Sequence, residues 1–173
     1  KNLFYVNKTE STNELAKKKA PSSPDGTVIL SEIQSGGKGR LGRSFISPQG
    51  GIWTSIILKP SIEPIYASKF TQVAACALIK VLISMDIKAL IKWPNDIYLN
   101  GKKICGILTE MNCDMDRINY LIIGVGINVN LSKEVFPNQI KSTATSLQIE
   151  ENKSFNRSNI LANFLNEFET LYT

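Results

Sequence analysis

Asn100-Gly101, set between Ile97–Leu99 and Lys103–Met111, constrains this chain more than any other feature. Asn and Gly both tolerate positive φ, so a two-residue turn of this kind follows the right-handed twist of its flanking strands and fixes their register. An antiparallel pair is therefore expected here. The remaining elements do not follow strict βαβ alternation.

Leu3 to Val6 reads as a short strand, and Ser11-Thr12-Asn13-Glu14 is a capping-box pattern that opens a helix ending before Pro21. Pro24-Asp25-Gly26 turns the chain into an apolar strand, Thr27 to Ile33, and Ile52 to Leu58 forms another. Phe70, Val73, Ala74, Ala77, Leu78, Val81 and Leu82 recur at steps of three and four, which marks one face of a helix. Ala89 to Lys92 is a strand stopped by Pro94. Asn119 to Val125 is a further strand, followed by a polar irregular stretch and a last helix with Ile160, Leu161, Phe164, Leu165 and Phe168 on one face. Residues 1–173 thus read as one α+β domain, a mixed and mostly antiparallel sheet with helices packed on one face.

Composition narrows the chemistry. The 173 residues contain no histidine, so Ser-His and Cys-His nucleophiles and His-ligated metals are excluded, and acid–base work falls to carboxylates, lysines or substrate. Three cysteines without C-x-x-C spacing, Cys76, Cys105 and Cys113, predict reduced thiols and neither a disulfide frame nor a zinc site. The sequence opens without a basic-then-apolar leader but also without an initiator Met, so the expectation of a cytoplasmic protein rests on the cysteines. No uninterrupted apolar run approaches the roughly 18 residues of a membrane span. The net charge of +5 is modest and dispersed, so the placement of charge matters more than its sum.

Charge is concentrated at Gly36-Gly37-Lys38-Gly39-Arg40-Leu41-Gly42-Arg43, where four glycines alternate with three cations. Glycine allows backbone N–H groups to approach a ligand, and Lys and Arg supply charge, so the loop is suited to an anion. Like charge and glycine also predict that it is mobile when empty. Gly37-x-Gly39-x-x-Gly42 matches a dinucleotide fingerprint literally, but Ser47-Pro48 and Gly50-Gly51 preclude the helix that must follow. A Walker loop fails because Lys38 is followed by Gly39 and not by Ser or Thr. Standing alone, the segment would also fit a mobile basic surface loop.

It is accompanied, in order, by Ser11-Thr12-Asn13, Gln34, Lys92-Trp93-Pro94-Asn95-Asp96, Lys103-Ile104-Cys105-Gly106-Ile107-Leu108-Thr109-Glu110, Gly124-Val125-Gly126-Ile127-Asn128 and Ala144-Thr145-Ser146-Leu147. In these blocks, over nearly its whole length, the chain resembles the catalytic domain of biotin protein ligases. The resemblance implies a fold like that of class II aminoacyl-tRNA synthetases. It implies joining of the biotin carboxylate to ATP through the α-phosphate, with release of pyrophosphate, and attack on the biotinyl-adenylate by a lysine of a biotin carboxyl carrier protein. ATP, Mg²⁺ and biotin are the implied small molecules, with no metal site built from protein side chains alone.

By family position, Lys38, Gly39, Arg40 and Lys103 lie against the biotin carboxyl and the phosphate, and Ser11, Thr12, Asn13 and Gln34 meet the neutral ureido ring. Ser11 has the alternative of being simply a helix cap. Phe45 holds the place of an apolar side chain that folds over ligand, or is core. Arg40, Arg43, Lys92, Asn95 and Asn128 take the nucleotide positions. The acceptor lysine must lose a proton, which at pH 7 costs about 4.6 kcal/mol from an ordinary amine pKa. Asp96 is the candidate to orient or accept, against the alternative that it braces the turn after Pro94. Lys38, Arg40, Asp96 and Lys103 are thus the implied catalytic group, and Trp93 reads as part of a packed corner.

The chain departs from the family in two ways. Lys38 stands where the loop usually has its first arginine, a point charge in place of a bidentate fork. No helix-turn-helix segment stands before Leu3, so a repressor role and a DNA partner are not expected. The sequence stops at Thr173 where many relatives continue into a small β-barrel, either because a tail was removed or because this is a minimal ligase; no membrane partner is expected. An exposed sheet edge would support a homodimer. Two rival readings are a lipoate protein ligase, whose dithiolane substrate cannot use the amides and hydroxyls, and a basic nucleic-acid-binding module. The latter lacks a stripe of aromatics to accompany its charge.

Overall fold

The computed structural model describes residues 2–173. Asn100 (φ 49°) and Gly101 (φ 78°) both lie in the left-handed region and close a two-residue turn between β5, Asp96–Leu99, and β6, Lys102–Cys113. Leu99 faces Lys102 across it, which is the register the turn type demands. β6 continues through a second turn, where Asp114 N donates to the Arg117 carbonyl, into β7, Ile118–Ile127. β4, Leu90–Lys92, is a short exposed strand beside β5.

The other half of the sheet comprises β1, Leu3–Thr9, β2, Thr27–Gln34, and β3, Ile52–Leu58. The spatial order is β1-β2-β3-β7-β6-β5-β4. β1 and β2 pair in parallel and the other neighbours are antiparallel, so the sheet is mixed and mostly antiparallel, as the sequence predicts. Every residue of β3 is buried, because this strand lies between β2 and β7 with its faces covered. Its near-continuous apolar run follows from that position.

Helix α2, Lys69–Ser84, and helix α4, Arg157–Tyr172, pack on each other and on one face of the sheet. The main core there joins Ala74, Leu78 and Leu82 of α2, Phe164 and Phe168 of α4, and Ile56, Ile123 and Val125 of the strands. Lys80 of α2 and Glu167 of α4 form an ion pair at the margin. The stretch Pro64–Ser84 is, by length and composition, apolar enough to cross a bilayer. To that extent it corrects the expectation that nothing in the chain approaches a span, but its apolar side is the core side of this helix.

The expectation of helices on one face needs a second correction. Helix α1, Thr12–Lys19, connects the parallel pair and must therefore cross over the sheet, and it lies on the opposite face. There Ala16 and Ala20 bring it close to Ile29, Ile57 and Ile122, the alternate residues of strands whose neighbours point into the main core. The polar stretch after β7 also contains an unpredicted short helix, α3, Leu147–Glu151, whose cap is Ser146 accepting from Ile149 N at 3.2 Å.

Core position sets the expected cost of truncation. Leu78→Ala, at a fully buried site, should destabilise the fold by about 2–5 kcal/mol in urea unfolding, whereas Ile83→Ala on the exposed side of the same helix should change it by less than about 1 kcal/mol.

Candidate active site

The α1 face of the sheet is polar where the main core face is not. Ser55 is fully buried in β3, and its hydroxyl lies 2.8 Å from Thr12 Oγ1 and 2.6 Å from Asn13 Oδ1. Thr12 donates from its backbone N (2.7 Å) and its hydroxyl (3.0 Å) to Gln34 Oε1. Gln34 Nε2 in turn donates to Ser47 Oγ at 2.8 Å. Asn13 Nδ2 donates to Glu110 Oε2 at 2.8 Å and, more weakly, to the Leu108 carbonyl at 3.4 Å. One network therefore joins the start of α1 to β2, β3 and β6. Burial makes such groups costly unless they are paired, and here they pair with one another.

Ser11 stands at the N-cap of α1, buried and extended, but makes no side-chain capping bond. Its capping-box partner Glu14 is engaged elsewhere, so the local motif does not form. Ser11, Thr12, Asn13 and Gln34 instead line one end of a cavity. Asn13 has both amide hydrogens and its carbonyl committed to protein, which makes it a brace of that wall.

The cavity floor is made of glycines. Gly106 pairs with Gly126 across β6 and β7, and Gly124 follows two residues back on the same face. A Cβ at residue 124 would fall within the Asn13 side chain, and one at 126 would come to 2.6 Å of the Phe45 ring. Phe45 rests on this floor and meets Trp53 edge to face at a centroid distance of 5.9 Å. It is thus part of the cavity wall.

Three cations border the other end. The glycine loop forms a small hairpin, with Phe45 N donating to the Gly37 carbonyl and Gly39 N to the Arg43 carbonyl. Arg40 donates to Asn95 Oδ1 at 3.1 Å, and Asn95 Nδ2 donates to the Ile107 carbonyl. Lys103 pairs with Asp96 at 2.7 Å and lies 5.6 Å from the centre of the Phe45 ring. Lys38 pairs with Glu14 at 2.9 Å, and Lys17 adds a second bond to the same oxygen at 3.1 Å. These two lysines, Lys38 first, hold the Glu14 carboxyl below the ordinary carboxylate range, and Glu14 raises the Lys38 amine. Burial pushes the Cys105 thiol up, which disfavours thiolate chemistry there.

Lys38, Gly39, Arg40, Phe45, Asn95 and Lys103 therefore line one cavity together with the Ser11–Gln34 wall. Arg43, Lys92, Asp96 and Asn128 are not among its lining residues, although Asp96 reaches the cavity's Lys103 through their ion pair. Arg43 is exposed at the end of the loop, Lys92 lies over the Tyr98 ring, and Asn128 is buried with its amide donating to the Thr145 carbonyl at 2.9 Å. Trp93 is 75% exposed, so the expected packed corner is not formed. Ser47 and Ser55 are site residues that a search for charged or catalytic types overlooks, while Glu110 and the three floor glycines stand in the sequence blocks that carry the family resemblance, without a site role assigned to them. Two buried hydroxyls, Thr54 and Ser55, inside an otherwise apolar strand, and Gly-x-Gly in a central strand, are the signals available for Ser55 and for Gly124 and Gly126.

No group of three metal-binding side chains occurs among the described residues, and Asp96, behind the cavity's Lys103, is paired with that lysine.

Comparison with known proteins agrees with this geometry. The biotin/lipoate A/B protein ligase family matches residues 5–128. The bifunctional ligase/repressor BirA of Bacillus spizizenii is 39% identical over 98% of this chain and 53% of its own length. The biotin–[acetyl-CoA-carboxylase] ligase of Paracoccus denitrificans is 34% identical over 70% of this chain and 52% of its own. The chain thus spans about half the length of the curated relatives it matches. The biotin protein ligase of Aquifex aeolicus, solved in complex with biotin and ATP, superposes with a TM-score of 0.86 and 31% identity over 99% of this chain and 70% of that one. With the family matched over more than two thirds of its residues and the same fold along nearly all of it, the chain belongs to the biotin/lipoate A/B protein ligase family.

Proposed function

We propose that this domain activates biotin with ATP and transfers it to a lysine of a biotin carboxyl carrier domain. The observation that carries the reading is the polarity of one cavity, neutral amides and hydroxyls at one end and Lys38, Arg40 and Lys103 at the other. Biotin has the matching polarity, a neutral ureido ring and a carboxylate separated by an apolar chain. The glycine floor and Phe45 supply the apolar middle.

In the first step, a biotin carboxylate oxygen attacks the α-phosphorus of ATP and pyrophosphate leaves, giving a mixed anhydride. The barrier is the approach of two anions, so fixed cations and backbone N–H groups are the expected catalysts. Arg40 and Lys103 are held ready by weak or neutral partners, Asn95 and Asp96, which a ligand anion replaces. Magnesium enters as part of the nucleotide substrate, on its triphosphate oxygens. Arg43, Lys92 and Asn128, outside the cavity, serve the nucleotide only at its periphery.

In the second step, the acceptor amine attacks the acyl carbon and AMP leaves. The amine must first lose a proton, and Asp96, beside the cavity's Lys103, is the carboxylate proposed to orient or receive it. The three free cysteines suit a reducing cytoplasm. A lipoate ligase is the second reading within the family. The Thr12–Gln34–Ser55 network favours biotin, since a dithiolane ring offers it nothing to bond.

Mass spectrometry of a carrier domain incubated with the protein, biotin and ATP-magnesium should show the biotin mass added, and substitution of lipoate should add nothing. Lys103→Ala should lower adenylate formation by about 10²-fold or more, the usual cost of losing a charge-stabilising donor, while Arg40→Gly should slow the reaction and release free adenylate. Asp96→Ala should slow single-turnover transfer from preformed adenylate; an unchanged rate would remove Asp96 from that step.

A further inference from the structure

We propose that Glu14 is a positioning residue for the glycine loop, and that its pairing with Lys38 seats the loop on α1. The role rests, in its consequence for catalysis, on the reading of the cavity as a biotinyl-adenylate site. Lys38 stands in the middle of the loop, and among the described residues its contact with Glu14 is the ion pair that ties the loop to the rest of the protein. Residues 36–43 carry Lys38, Arg40 and Arg43 and no acid, so the counter-charge has to come from outside. Arg40 finds only a neutral amide.

Glu14 is itself fixed. Lys17 bonds Glu14 at 3.1 Å and Glu110 at 2.6 Å, and Glu110 accepts from Asn13. Charges thus alternate from the loop through α1 to β6, ending on the residue that braces the polar wall. The base of the loop is fastened to the same segment, with Gly36 N donating to the Glu10 carbonyl at 2.8 Å. The pair positions the loop's backbone, and with it Lys38 and Arg40, over the cavity beside Lys103. Lysine in place of arginine fits this use, since a point charge is enough for a single carboxylate oxygen.

The test is hydrogen exchange of the ligand-free protein over residues 36–45, where Gly36, Gly39, Arg43 and Phe45 donate backbone bonds that break when the loop opens. Glu14→Gln and Lys38→Met should each speed exchange about two- to fivefold, the range expected for one solvent-accessible ion pair. The double variant should be no faster than either single one, and the swap Glu14→Lys with Lys38→Glu should return exchange to the wild-type rate. Raised salt should erase the difference between wild type and Glu14→Gln. Unchanged exchange in Glu14→Gln, or additive effects in the double variant, would overturn the proposal. In a second arm, Glu14→Gln should release bound biotinyl-adenylate faster by the same factor, with the single-turnover transfer rate unchanged; equal release rates would overturn the catalytic consequence. Loop exchange as expected with no adenylate bound by any variant would instead overturn the proposed function and leave the role of Glu14 standing.

Discussion

The active-site face depends on the close approach of α1 to β7, where Asn13 occupies the space that a Cβ on residue 124 would need. Glycine there lets the start of a helix reach the sheet itself, and Asn13 then braces it against Ser55, Glu110 and Leu108. With α1 so placed, Thr12 meets Gln34, and Gln34 holds Ser47 at the far end of the glycine loop. The cavity is what remains between a helix drawn close and a loop held over. A larger side chain at 124 would push α1 outward and take the polar wall with it.

Electrostatics supplies the second constraint. Three cations around one small space repel each other, and each is offset by a nearby partner, Glu14 for Lys38, Asn95 for Arg40 and Asp96 for Lys103. None of these partners is deeply buried, so the pairings are weak compared with what a carboxylate or phosphate gains among several fixed donors. The site is therefore folded without ligand yet ready to exchange partners. Holding the cations in advance lowers the cost of organising them during reaction, which is the main way such a site can speed the joining of two anions.

Much of the fold was legible in the sequence because its signals are local. Asn100-Gly101 specifies its own turn, the step of three and four from Phe70 to Leu82 specifies a helix face, and the apolar run Ile52–Leu58 specifies a buried strand. The face on which α1 packs was not legible, since Ala16 and Ala20 are too small to declare a core side, and α3 is too short for periodicity. The site divides in the same way. Charged and glycine-rich blocks mark the cation end, and the family resemblance points to the polar wall that is proposed to meet the ureido ring. Ser55 shows in the sequence only as a hydroxyl in an apolar strand, and nothing local distinguishes one that bonds across to α1 from one that bonds a neighbouring strand, as Thr54 does. Trp93 misled for a related reason, as a strand and a proline beside an aromatic suggest packing that the tertiary structure does not supply.

The central claim is that one cavity recognises a neutral ureido ring at one end and an anion at the other. Isothermal calorimetry of the protein with biotin, alone and with ATP-magnesium, tests it most directly, with lipoate and a short oligonucleotide as parallel titrants. The account predicts saturable binding of biotin and no heat with lipoate. Silence with biotin together with salt-sensitive binding of the oligonucleotide would contradict it.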